Sequence, residues 1–125
     1  MIIGIGIDLI EVERIQAVYA RHCERFVNRI LTPAERAYVM RHADPSQRLA
    51  GRWAAKEAAF KALGTGVAEG IGWKDAEILP DERGKPLLVF HGKARDRAAE
   101  LGASIFHISI THSTTLAMAQ VILEK

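Results

Sequence analysis

The residues best able to do chemistry are two acids and a lysine. Asp8 ends the run Gly4-Ile5-Gly6-Ile7, and Glu57 and Lys61 lie four apart in Trp53-Ala-Ala-Lys56-Glu57-Ala-Ala-Phe60-Lys61. Converging carboxylates are hard oxygen donors suited to Mg²⁺, which takes one or two of them and completes an octahedral shell with waters and phosphate oxygens. Basic side chains beside such an ion neutralise a polyphosphate, as phosphoryl transfer requires. Plainer roles are open to the same residues. Asp8 could cap the helix that follows it, and Glu57 with Lys61, at i and i+4, could be a surface ion pair worth only ~0.3–0.5 kcal/mol.

Lys56 projects near the centre of an apolar stripe made by Leu49, Trp53, Phe60 and Leu63, a costly position for an ammonium. Either its stem snorkels at the helix edge or the stripe faces a cleft that holds an anion. On the preceding helix, at 100° per residue, Arg21 and Arg25 fall within about 20° of Arg14 with Val18 beside them. This basic stripe with an apolar insert is either a solvated face or a dock for an acidic helix. Lys85, on the turn Gly84-Lys85-Pro86, and His112, between two strands beside Thr111 and Ser113, are further candidate phosphate contacts.

The elements that must position these groups are legible from period and punctuation. Met1–Asp8 alternates Ile3, Ile5 and Ile7 with Gly4, Gly6 and Asp8, a strand whose glycine face lets another backbone approach closely. Glu11–Phe26 has helical recurrence of Val12, Ile15, Tyr19, Cys23 and Phe26. Thr32-Pro33-Ala34-Glu35 is a capping box opening a short helix to about residue 41. A third helix runs from Pro45 or Ser46 to Leu63 and stops at Gly64-Thr65-Gly66, with Gly51, Ala54, Ala58 and Ala62 on a small-residue face opposite the apolar stripe. Strands at Ile71–Leu79 and Pro86–Phe90, a helix at Lys93–Leu101 ending at Gly102, and a hairpin of Ser104–Thr111 with Leu116–Leu123 complete the chain. The order βαααββαββ is an α+β fold with antiparallel pairing. Should the small face of the third helix pack on the Gly4/Gly6 face of the first strand, Asp8 and Glu57 would converge.

With 125 residues and 49% hydrophobic composition the chain reads as one domain, residues 1–125. Its longest apolar run is far short of a membrane span and it has no secretory leader pattern, so a cytoplasmic protein is expected. The lone Cys23, read as packed, excludes an internal disulfide. A formal charge of +2 argues against a nucleic-acid coat. The distribution is uneven, however: Arg14–Arg52 holds eight arginines against Glu24, Glu35 and Asp44, a net +5, which leaves −3 for the remainder.

Together, Gly4-Ile-Gly-Ile-Asp8-Leu-Ile-Glu11, Leu31-Thr-Pro-Ala-Glu35-Arg, Trp53-Ala-Ala-Lys56-Glu57-Ala-Ala-Phe-Lys61-Ala-Leu-Gly64-Thr-Gly66, Gly84-Lys-Pro86 and Ser109-Ile-Thr-His112-Ser113 resemble the holo-acyl-carrier-protein synthases, the small trimeric type of 4′-phosphopantetheinyl transferase. The resemblance implies transfer of the 4′-phosphopantetheine arm of coenzyme A to a serine of apo acyl carrier protein, with release of adenosine 3′,5′-bisphosphate. It implies that Asp8 and Glu57 hold Mg²⁺ against the diphosphate, that Lys61 sits beside the transferring phosphate, and that Arg52, Lys56, Gly84, Lys85, Pro86 and His112 contact coenzyme A. The family's carrier-docking helix matches the segment with Arg14, Arg21 and Arg25. A homotrimer with intersubunit sites is implied, and no membrane or nucleic-acid partner. The group that accepts the serine proton stays open between Glu57 and a water on the metal, the water being preferred. Two other classes compete: a metal-dependent pyrophosphohydrolase using the same carboxylates, and a non-catalytic adaptor needing only the arginine stripe.

Overall fold

The computed structural model of the chain describes residues 1–68 and 70–125. Strand β1 (Ile2–Glu11) leads directly into helix α1 (Val12–Ile30), followed by α2 (Pro33–Val39) and α3 (Ser46–Leu63). A single 3-10 turn, Trp73–Asp75, opens β2 (Ala76–Pro80), and then come β3 (Pro86–Phe90), α4 (Gly92–Leu101), β4 (Ile105–His112) and β5 (Leu116–Glu124). The expected α+β order holds. Pairing is antiparallel throughout, in a three-stranded sheet ordered β1-β5-β4 and a separate β2-β3 hairpin.

Helix α3 is the hub, and its composition explains why. Alanines 50, 54, 55, 58, 59 and 62 are buried along with Leu49, Phe60 and Leu63, so the helix is covered nearly all round. Small side chains let the sheet press on one face while α1 and the 3-10 turn close the other. There Trp53 stacks on Trp73 at 4.4 Å between ring centroids, with Phe26 and Phe60 packed around them. α3 ends at Gly64, whose φ of 77° is the left-handed cap a glycine adopts freely.

Three boundaries move by three residues or more from the sequence reading, and one burial differs. β1 runs on to Glu11, so Asp8 is a strand residue and not a helix cap; α1 begins after Glu11 without a side-chain cap. β2 starts at Ala76 because Gly72–Asp75 forms the 3-10 turn, stapled by the Gly72 amide donating to Asp75 Oδ2 at 3.1 Å. α1 continues to Ile30 through a break at Cys23, which has φ 43° and ψ −121°. At that break Cys23 is exposed, where a packed thiol was expected.

Candidate active site

The site is made by one unusually close strand–helix contact. A Cβ built on Gly6 would lie 1.8 Å from the Ala58 carbonyl oxygen, and one on Gly4 2.4 Å from that of Ala62, so only glycines permit β1 to lie on α3. Two residues along a strand advance about 6.6 Å and four along a helix about 6 Å. Gly4 over Ala62 and Gly6 over Ala58 set Asp8, on the same strand face, about one further turn toward the start of α3, near enough for its charge to act on Glu57 and for the Lys61 ammonium to reach it.

Lys61 reaches back along α3 to this point, as helical side chains lean toward the N-terminus. Its ammonium donates to Asp8 Oδ1 and to the Ile7 carbonyl, each at 3.0 Å. Of the two readings open for Lys61, the surface pair with Glu57 is not the one formed; its ion pair is with Asp8. Glu57 is partly buried, and burial pushes its carboxyl above the usual value; the Asp8 charge adds to the rise and Lys61 opposes it. Asp8, Glu57 and Lys61 thus share one electrostatic environment.

The two carboxylates are hard oxygen donors, and with Lys61 as their one nearby cation among the described residues they carry a net charge of −1. They fit a small divalent cation. Among the described residues no group of three or more His, Cys, Asp or Glu is placed to hold a metal ion, so the protein would offer such a cation two carboxylates at most.

Lys56 is corrected. Its side chain is 0% exposed, and its ammonium donates to Glu35 Oε1 at 2.8 Å, to the Trp73 carbonyl at 3.0 Å and to the Ala76 carbonyl. All three donors are spent inside the core, and the side chain neither snorkels nor faces an anion cleft. Burial pulls its pKa below the ordinary value while Glu35 opposes the fall. The signal missed in the sequence was Glu35. A lysine centred on an apolar stripe demands a buried acid, and the third residue of the capping box supplies it, with Glu35 wholly buried.

Arg52 is also nearly buried, with its guanidinium 4.9 Å from the Tyr38 ring centroid and its Nε unpartnered among the described residues. Lys85 is exposed on the β2–β3 turn, where Gly84 has φ 85° and the Asp81 carboxylate accepts from the Arg83 and Lys85 amides; Pro86 pairs with Pro80. His112 ends β4, exposed and opposite Ala117. Among the described residues no hydrogen bond or ion pair links Gly84, Lys85, Pro86 or His112 to Asp8, Glu57 or Lys61.

Arg14, Arg21 and Arg25 are exposed on α1. They do not form one continuous stripe, because the break at Cys23 separates Arg25 from the other two. Arg25 instead rims a groove of about 810 Å³ with His22 and Arg29, over an apolar floor of Val18, Phe26, Ile30, Trp53 and Trp73. Only Val18 of that floor was singled out from sequence as part of a docking face; Trp73 arrives from a distant segment and could not be read from helix α1.

The outer face of the three-stranded sheet is apolar and open. Ile5, Ile7 and Leu9 are 58%, 52% and 58% exposed, and Met118 stands opposite Leu9. Among the described residues no helix is long and apolar enough to cross a membrane.

The chain matches the family described as the 4′-phosphopantetheinyl transferase superfamily over residues 4–119. It is 52% identical over 124 residues to the holo-[acyl-carrier-protein] synthase of Solidesulfovibrio magneticus, covering 99% of both chains. Among solved structures it resembles the holo-[acyl-carrier-protein] synthase of Neisseria meningitidis, with TM-score 0.91, 34% identity and 100% of both chains covered. It also resembles the Bacillus anthracis enzyme in complex with CoA (3′,5′-ADP), with TM-score 0.82, 40% identity and 98% and 96% covered. The chain belongs to the 4′-phosphopantetheinyl transferase superfamily and, within it, to the holo-[acyl-carrier-protein] synthases.

Proposed function

We propose that this enzyme moves the 4′-phosphopantetheine arm of coenzyme A onto a serine of apo acyl carrier protein and releases adenosine 3′,5′-bisphosphate, with Mg²⁺ as cofactor. The observation that carries the reading is the Gly4/Gly6 contact with Ala58 and Ala62, which brings Asp8 to Glu57 and Lys61. Asp8 and Glu57 would hold the cation. When bound, it supplies charge neutralisation at the diphosphate.

The serine oxygen forms a bond to the phosphorus that carries the pantetheine arm. The bond from that phosphorus to the bridging oxygen breaks, and the bisphosphate leaves with that oxygen. Charge builds on the leaving side, where the Lys61 ammonium is suited to stabilise it. The serine proton would go to Glu57 directly or to a water beside the two carboxylates, the water being preferred. Arg52, Lys85 and His112, with the Gly84–Pro86 turn, would contact the coenzyme's phosphates. Arg14, Arg21 and Arg25 would receive an acidic carrier helix, with the groove below Arg25 taking its apolar side chain.

The open apolar face around Ile5, Ile7, Leu9 and Met118 supports a homotrimer. Assembly would supply what one chain lacks, a coenzyme contact set adjoining the two carboxylates. The charge balance and short apolar runs support a cytoplasmic enzyme with no nucleic-acid or membrane partner. The test is chromatographic: with coenzyme A and Mg²⁺, bisphosphate release should require apo carrier. Equal release without carrier would make the enzyme a hydrolase and overturn the proposal.

A further inference from the structure

The buried Lys56–Glu35 pair lies outside the reaction described above, yet it bonds backbone groups at Thr32, Trp73, Ala76 and Ile78. Glu35 Oε1 accepts from Lys56 at 2.8 Å and from the Thr32 amide at 2.9 Å, while its Oε2 accepts from the Ile78 amide at 2.9 Å. Lys56 in turn holds the carbonyls of Trp73 and Ala76. One ion pair thereby ties α2, α3, the 3-10 turn and β2 together.

Two features give this tie a direction. Lys56 is the residue before Glu57 on α3, whose carboxylate faces β1. The backbone it grips is that of Trp73, whose ring stacks at 4.4 Å on Trp53, three residues before Lys56 on the same helix. Those two rings are a wall of the groove rimmed by Arg25. An apolar side chain of similar volume could fill the space, often at little cost in stability, but it could not hold two carbonyls and a carboxylate in fixed directions.

We propose that Lys56 and Glu35 are positioning residues that fix the Trp53–Trp73 wall of the carrier groove relative to Glu57 and Lys61. The carrier's identity as occupant rests on the function proposed above; the positioning of the wall does not. Trp53 and Trp73 are the chain's only tryptophans, so the exciton couplet of the stacked indoles in circular dichroism reports their geometry directly.

The test is the full-length double variant Glu35→Gln/Lys56→Met, which removes both charges so that neither is stranded. It should melt cooperatively, lose at least half of the couplet, and raise the KM for carrier about tenfold. The KM for coenzyme A and kcat at saturating carrier should stay within twofold. An unchanged couplet with both KM values unchanged would reduce the pair to a stability element and overturn the proposal. A change in coenzyme A KM or kcat with carrier KM unchanged would overturn it too, by moving the effect to the carboxylates. If the double variant does not fold, Glu35→Asp is read by the same criteria, and failure of both to fold would make the pair a folding requirement and refute positioning. A wild-type enzyme that modifies no carrier would sink the function reading, and the couplet would then decide the positioning.

Discussion

Substituting Gly6 by alanine tests whether backbone proximity makes the site. The new Cβ would begin 1.8 Å from the Ala58 oxygen, and real Cβ atoms essentially never approach within 3.0 Å. The obstructing atom is helix backbone, with no flexible end to swing aside. Strand and helix must therefore part by at least about 1.2 Å, which carries Asp8 away from Glu57 and Lys61. Overpacking of this kind costs about 1–3 kcal/mol, on the order of 5–15 °C in Tm for a chain of this size. A misplacement near 1 Å in a reacting site costs about 10²-fold in rate. Gly51→Ala is the control, since its Cβ meets only the Ile110 Cγ2 at 3.3 Å. Thermal melts and the initial rate of carrier modification should separate the two variants: Gly51→Ala near wild type, Gly6→Ala less stable and about a hundredfold slower. A Gly6→Ala enzyme indistinguishable from Gly51→Ala in both assays would refute the argument.

Other consequences follow from separate features. Arg14→Glu with Arg21→Glu should raise the KM for carrier by about tenfold at low ionic strength, and the effect should shrink as salt rises, because exposed charges are screened over about 10 Å at 0.1 M. Ile7→Glu puts a charge on the open sheet face and should give a folded monomer by sedimentation, with activity lost alongside assembly. Hydrogen bonds from Thr32 and His91 hold the Glu77 carboxyl below its ordinary value of 4.5. A depressed pKa means its stabilisation is complete above that value and is lost as pH falls through the folded-state value. Glu77→Gln should accordingly lower Tm at pH 6 and make little difference under strongly acidic conditions.

What the sequence revealed follows from how local each signal was. The glycine alternation in β1, the capping box at Thr32 and the small-residue face of α3 are each written in a few neighbouring residues, and each appears where expected. The close approach of β1 to α3 could also be anticipated, because glycines on one element and alanines on another are complementary. Lys56 is not legible in the sequence because its partners, Glu35 and the carbonyls of Trp73 and Ala76, come from three other segments, and a buried cation looks like a ligand contact until its acid is found. Periodicity assumes an unbroken helix and so extends the arginine stripe past Cys23, where nothing local announces the positive-φ backbone. The pattern starts β2 too early because Ile71 and Trp73 look strand-like, while Gly72 and Asp75 close a turn around Trp73.

The joint role of Asp8 and Glu57 is tested most directly by intact-mass measurement of an apo acyl carrier protein incubated with coenzyme A, Mg²⁺ and either wild-type enzyme or the folded variants Asp8→Ala and Glu57→Ala. Wild type should shift the carrier by the mass of one phosphopantetheine, and neither variant should shift it at all. Modification that persists at the wild-type rate after loss of either carboxylate would contradict the claim that Asp8 and Glu57 form one catalytic centre.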